Sequence, residues 1–211
     1  MKNFWPVIAT TLAAVLFSGA VAAETKAERK LAGLIGNAKA VEAAAEAGKK
    51  ASFFCANCHG ADGNSAIGEV PNLAGQNPVF LLEQIRKFGE GQRKNEFMEK
   101  MIRVLSDDDK VSIALFYAQQ RVKSRPVSDT TLQAKGMDWF SKVCIRCHGE
   151  QGRGNERIAR IAGQQPAYLS LTLTRYRDRT GERIDPLMAT NTAFLKDDDI
   201  KALVEYVSHM K

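Results

Sequence analysis

Every cysteine of this chain sits in one of two matching pentads. Cys55-Ala56-Asn57-Cys58-His59 and Cys144-Ile145-Arg146-Cys147-His148 are both C-x-x-C-H, and together they use all four cysteines and two of the three histidines. That pattern is the attachment signature of c-type haem. Two thiols separated by two residues on a helical turn can each form a thioether with one haem vinyl group. The adjacent histidine then falls under the iron as its proximal ligand. Gly60 and Gly149 follow the histidines, which suits a chain that must turn sharply beside a porphyrin edge. Other chemistries fit less well. A thioredoxin-like pair occurs once, near a βαβ pattern that is not found here. A four-cysteine zinc site needs its pairs roughly 15–20 residues apart, whereas Cys58 and Cys144 are 86 apart. Two disulfides would not require a histidine after each pair. The residues therefore predict two haem c groups, with Cys55, Cys58, Cys144 and Cys147 as thioether anchors and His59 and His148 on the irons.

The repeat extends well beyond the pentads. Cys55 and Cys144 differ by 89; Leu73-Ala74-Gly75-Gln76 matches Ile161-Ala162-Gly163-Gln164 at offset 88; Arg93 matches Arg183, and Leu105 with Asp107–Asp109 matches Leu195 with Asp197–Asp199, at offset 90. A period of this length means two similar domains in tandem. The polar, proline-bearing stretch around 122–130 is the expected linker. The expected organisation is a signal peptide 1–23, an N-terminal helical extension 24–47, a first domain 48–121, and a second domain 131–211. Coarse structure reads as all-α. Asn77-Pro78 looks like an N-cap and first helical position ahead of Leu81, Leu82, Ile85 and Phe88 at helical spacing. Ser106 with Asp109 resembles a capping box, and Asp197 opens the matching helix. Ala38–Phe54 and Ala134–Val143 read as helices leading into the pentads. Leu31, Leu34, Ile35, Ala38 and Val41 give one amphipathic helical pattern.

The repeat also selects the remaining axial ligands. Met98 stands seven residues before Leu105, and Met188 seven before Leu195, while Met101 pairs with Asn191. Met98 and Met188 are therefore the expected sixth ligands, and Met101 an ordinary core filler. His209 has no counterpart in the first copy and reads as a solvated C-terminal residue. Histidine and methionine together saturate the iron and raise its potential, which favours one-electron transfer over substrate binding.

Lys2, a mostly apolar stretch from Phe4 to Val21, and Ala20-Val21-Ala22 form a tripartite secretory signal. Cleavage is the expectation, with retention as an anchor the alternative, since ~18 apolar residues approach the length of a membrane span. Nothing later in the chain does so, which leaves at most peripheral membrane association. The formal charge of +6 is well short of a dedicated nucleic-acid binder. Seven arginines between Arg153 and Arg183 form a solvated face, with pairing to haem propionates or steering of an acidic partner as the sharper reading.

Two C-x-x-C-H-G motifs, two L/I-A-G-Q segments and a methionine ahead of L-S-D-D-D or L-K-D-D-D together resemble the dihaem cytochrome c4 family over about residues 45–211. The resemblance implies two class I cytochrome c domains, each wrapped around a covalently bound haem, with propionate edges near the domain interface. It implies a periplasmic electron carrier, not an enzyme, working between respiratory redox partners such as a membrane-bound oxidase or reductase. The alternatives are a cytochrome subunit of a larger redox complex and a dihaem peroxidase. The family has a proline before each L-A-G-Q segment, near the carbonyl that accepts the proximal histidine's Nδ1–H. This chain has Pro71 in the first copy but Ala159 in the second.

Overall fold

The helix starts written in the sequence are made by side chains that satisfy the free N–H groups of a first turn. The computed structural model describes residues 24–123, 125–181 and 185–211; the expected signal segment and Arg183 lie outside them. The regular elements among the described residues are helices. The first half runs α1 (Lys26–Leu34), α2 (Ala38–Ala51), α3 (Phe53–His59), α4 (Pro78–Gly89), α5 (Glu96–Arg103) and α6 (Asp107–Ala118). The second runs α7 (Thr130–Trp139), a π-helical turn (Phe140–Cys144), α8 (Ile145–His148), α9 (Pro166–Asp178), α10 (Pro186–Thr192) and α11 (Asp197–His209). Asn77 Oδ1 accepts from the Val79 and Phe80 N–H groups at 2.9 and 3.3 Å. Ser106 and Asp109 form the reciprocal box at the head of α6. At α11 the Asp199 carboxylate accepts from the Lys196 N–H at 3.0 Å.

Two hydrophobic clusters follow. The first joins Leu81 and Leu82 of α4 to Val111, Ala114, Leu115 and Tyr117 of α6. The second joins Phe140 and Leu169 to Leu195, Ile200, Leu203 and Val207. Each fully buried Leu, Val or Phe contributes about 1.5–3 kcal/mol. In both halves a helix ahead of the pentad crosses the last helix of its domain. A Cβ at Gly48 of α2 would stand 1.9 Å from the Ser112 carbonyl oxygen of α6. One at Gly136 of α7 would stand 2.0 Å from that of Ala202 of α11. Glycine at these matched positions lets the two backbones touch.

The amphipathic stretch expected as one helix is two. The chain turns at Gly36, with φ +98°, and Asn37 caps α2 by accepting from the Ala40 N–H at 3.1 Å. Ala27 and Leu31 of α1 are buried in the first core together with Ala45 of α2. Helix α2 runs through position 47, so the extension and the first domain share one core.

A second difference explains the drift of the repeat. Gly48 and Gly136 are 88 apart, but Cys55 and Cys144 are 89 apart. The second half has one extra residue between its packing glycine and its first cysteine. The π-helical turn takes up that residue, because i→i+5 bonding holds one more residue per turn. The first half instead breaks between α2 and α3 at Ser52.

Candidate haem sites

A C-x-x-C-H pentad on a helix places its two sulfurs on one turn and the histidine at the helix end. That is the arrangement in both halves. Cys55, Cys58 and His59 close α3; Cys144 ends the π-helical turn, and Cys147 and His148 close α8. The chain then leaves through Gly60 at φ +84° and Gly149 at φ +76°, a region open to glycine at little cost. No disulfide joins the four cysteines. Burial pushes the Cys55 thiol up. Burial, helped by Cys147, pushes that of Cys144 up to about 11.

Both histidines are buried, His59 at 8% and His148 at 9% exposure. The His59 Nδ1–H donates to the Pro71 carbonyl at 2.9 Å. The His148 Nδ1–H donates to the Ala159 carbonyl at the same 2.9 Å. A carbonyl can only accept, so the proton is fixed on Nδ1 and the lone pair of Nε2 is left for a metal. Burial lowers the pKa of His59 against the pull of the Pro71 bond, and the Arg93 charge adds to the lowering; the neutral imidazole is the form that ligates. Replacing the expected proline with Ala159 does not lengthen the bond. The second loop is restrained by Asn155, whose Oδ1 accepts from the Arg157 and Ile158 N–H groups at 2.8 and 3.0 Å. Gly154 lies so close that a Cβ there would be 2.4 Å from the Ala159 oxygen.

The two methionines occupy equivalent places. Asn95 caps α5 by accepting from the Met98 N–H at 3.0 Å. Asp185 caps α10 by accepting from the Met188 N–H at 3.1 Å. Each methionine is thus the third residue of a short helix, half-buried, with Met101 three residues further along α5. Apolar side chains stand exposed at matched positions on either side: Phe97 and Val104 in the first half, Leu187 and Phe194 in the second.

Between the halves the L/I-A-G-Q segments meet. Gln76 Oε1 accepts from the Arg160 N–H at 2.7 Å, and its Nε2 donates to the Arg160 carbonyl at 2.9 Å. Gln164 makes the same pair with Asn72, at 2.6 and 3.0 Å. Gln76 and Gln164 are repeat equivalents, and so are Asn72 and Arg160, each at offset 88. The contact is therefore isologous, as across a two-fold axis. Val122, between α6 and α7, packs between Gly75 and Gly163. The sequence marked these glutamines as repeat members but not as interface residues; their shared offset was the available signal.

A covalently held haem brings two propionates, and the residues present fit it. The donor set is repeated in both halves, and the buried Nε of Arg160 has no hydrogen-bond partner among the described residues. Arg160 as a whole is half-buried, and a guanidinium with an unpartnered Nε suits an anion. Arg177 is spent otherwise, at 2.7 Å from Asp178 and 2.6 Å from Asp197. His209 corrects the expectation of a solvated residue. Its side chain is 7% exposed and lies 3.6 Å from the Glu205 carboxylate, one turn back on α11.

The comparisons agree with this geometry. The family described as Cytochrome c matches residues 133–211. Cytochrome c4 of Pseudomonas aeruginosa is 34% identical over 187 residues, covering 83% of this chain and 92% of its own. The thiosulfate dehydrogenase electron acceptor of Thiomonas intermedia is 33% identical, covering 69% of this chain and 72% of its own. The crystal structure of reduced recombinant cytochrome c4 from Pseudomonas stutzeri superposes with a TM-score of 0.72 at 31% identity, covering 79% of this chain and 98% of that one. With two such domains in tandem, the chain belongs to the cytochrome c4 family.

Proposed function

We propose that Cys55 and Cys58 hold one haem and Cys144 and Cys147 the other, with His59 and Met98, and His148 and Met188, as the axial ligands. The chain is a dihaem c-type cytochrome, an electron carrier between redox partners and not an enzyme. When bound, each haem supplies a one-electron iron centre. The residues around it do the rest. The histidines are held by their Nδ1–H with Nε2 presented, and the methionines would supply the second ligand to each iron, so that little rearrangement would accompany the gain or loss of an electron. The observation that carries this reading is the matched pair of buried histidines, each with Nδ1 held 2.9 Å from a backbone carbonyl.

The site of action is the periplasm, reached through the signal 1–23, with 122–130 linking the two haem domains. No helix among the described residues is long and apolar enough to cross a membrane. The partners are redox proteins, a membrane-bound oxidase or reductase among them. The likeness to a thiosulfate dehydrogenase electron acceptor supports a dehydrogenase as donor.

Protein from cells competent in haem attachment is expected to keep all its haem through acid–acetone extraction and to exceed the cleaved chain's mass by two haems. Reduced native protein at neutral pH should bind carbon monoxide slowly or not at all. One haem per chain, or rapid carbon monoxide binding, would overturn the assignment.

A further inference from the structure

Each proximal histidine rests on a peptide unit whose other end is held by the opposite domain. The Pro71–Asn72 unit gives its carbonyl to His59 at 2.9 Å and its N–H to Gln164 Oε1 at 2.6 Å. The Ala159–Arg160 unit gives its carbonyl to His148 at 2.9 Å and its N–H to Gln76 Oε1 at 2.7 Å. The glutamine side chains are also fixed at their nitrogen ends, Gln164 on the Asn72 carbonyl at 3.0 Å and Gln76 on the Arg160 carbonyl at 2.9 Å. Asn72, Gln76 and Gln164 are 6–7% exposed, so water does not compete for these bonds.

We propose that these are two crossed relays through which each domain sets the electron-donating strength of the other domain's proximal histidine. An acceptor on a peptide N–H moves electron density toward that peptide's carbonyl oxygen. The oxygen then takes the histidine Nδ1–H more strongly, and Nε2 becomes a better donor. A stronger donor favours the oxidised iron. Gln76 thus holds down the potential of the haem at Cys144 and Cys147, and Gln164 that of the haem at Cys55 and Cys58. Both are positioning residues, acting through a peptide and a histidine. The inference rests on the reading of His59 and His148 as iron ligands and adds a direction to it: control runs across the interface.

The test uses the holoprotein and the variants Gln76→Leu, Gln164→Leu, Gln76→Glu and Gln164→Glu. Individual potentials are measured by anaerobic spectroelectrochemistry. Nuclear magnetic resonance assigns each haem through the residues of its own pentad. Gln76→Leu should shift the oxidised-to-reduced ratio of the Cys144/Cys147 haem about threefold toward reduced at fixed applied potential, roughly 30 mV at about 59 mV per tenfold. The other haem should stay in place, and Gln164→Leu should give the mirror result. The glutamate variants keep the acceptor oxygen. They should leave the crossed haem's ratio at the wild-type value or move it toward oxidised, and they decide the matter where a leucine variant does not fold. A shift confined to the substituted domain's own haem, an equal shift of both, or glutamate behaving as leucine would overturn the relay. Failure of the ligand reading shows up separately, in the unsubstituted protein, as an iron without a histidine ligand.

Discussion

Met98 and Met101 lie on one short helix, and three residues rotate a helix by ~300°, a net ~60° that leaves both on the same side, so direction alone does not separate the two sulfurs. The caps put one of the two in register with the second half. Asn95 and Asp185 each bond the N–H of the methionine three residues on, which puts Met98 and Met188 at one structural position and leaves Met101 opposite Asn191 of the repeat. Met98→Ala should abolish the methionine-to-iron charge-transfer band of one haem and lower its potential; Met188→Ala should do the same to the other. Met101→Ala should leave both bands in place. Since Met101 is half-buried, its loss should cost about 1–2 kcal/mol by chemical denaturation, below the range for a full core truncation. Loss of a band in Met101→Ala with retention in Met98→Ala would reverse the assignment.

At the scale of elements, the helix crossings at Gly48 and Gly136 set how closely each pentad is held to its core. Alanine within a helix ordinarily gains about 1 kcal/mol over glycine. Here the added carbon meets backbone, 2.0 Å from the Ala202 oxygen at Gly136, and backbone cannot swing aside. Gly136→Ala should destabilise the second domain by about 2 kcal/mol or more, read as a lower denaturation midpoint. Most elements were legible in the sequence because their signals are local: Asn77-Pro78, Ser106 with Asp109, and the periodicity of α4. The thioether and proximal candidates were legible because all the chemistry of a pentad lies within five residues. What was not legible depends on partners far along the chain. The break at Gly36 leaves the apolar spacing intact, and the π-helical turn shows only as an offset moving from 88 to 89. The burial of His209 follows from its place beside Glu205 on α11, which a position near the chain end conceals.

At the scale of the molecule, the chain between α6 and α7 is tied to both halves. Asn64 accepts from the Lys123 N–H at 2.8 Å. The Glu205 carboxylate accepts from the Ser128 and Asp129 N–H groups at 2.8 and 2.9 Å and from the Ser128 hydroxyl at 2.9 Å. Burial pushes the Glu205 carboxyl up, but these donors and His209 outweigh it and hold its pKa below the usual value. A carboxyl whose folded pKa is depressed stabilises the fold fully above its unfolded value, about 4.3. That contribution fades as pH falls through the folded value. Glu205→Gln should therefore lower the melting temperature at pH 7, by the equivalent of about 1–3 kcal/mol, and lose less than wild type on acidification below about pH 4.5. Parallel melting curves for the two proteins across that range would contradict this.

The contact between the domains also bears on which positions can vary. Gln76 and Gln164 grip the N–H and carbonyl of residues 160 and 72, and a main chain offers those groups whatever its side chain. These four bonds are therefore indifferent to the side chains at 72 and 160, while Asn72 adds one of its own, its Nδ2 donating to the Gly163 carbonyl at 2.9 Å. The same independence means that a substitution at position 160 leaves the four symmetric bonds in place, whereas one at Gln76 or Gln164 removes two of them at once.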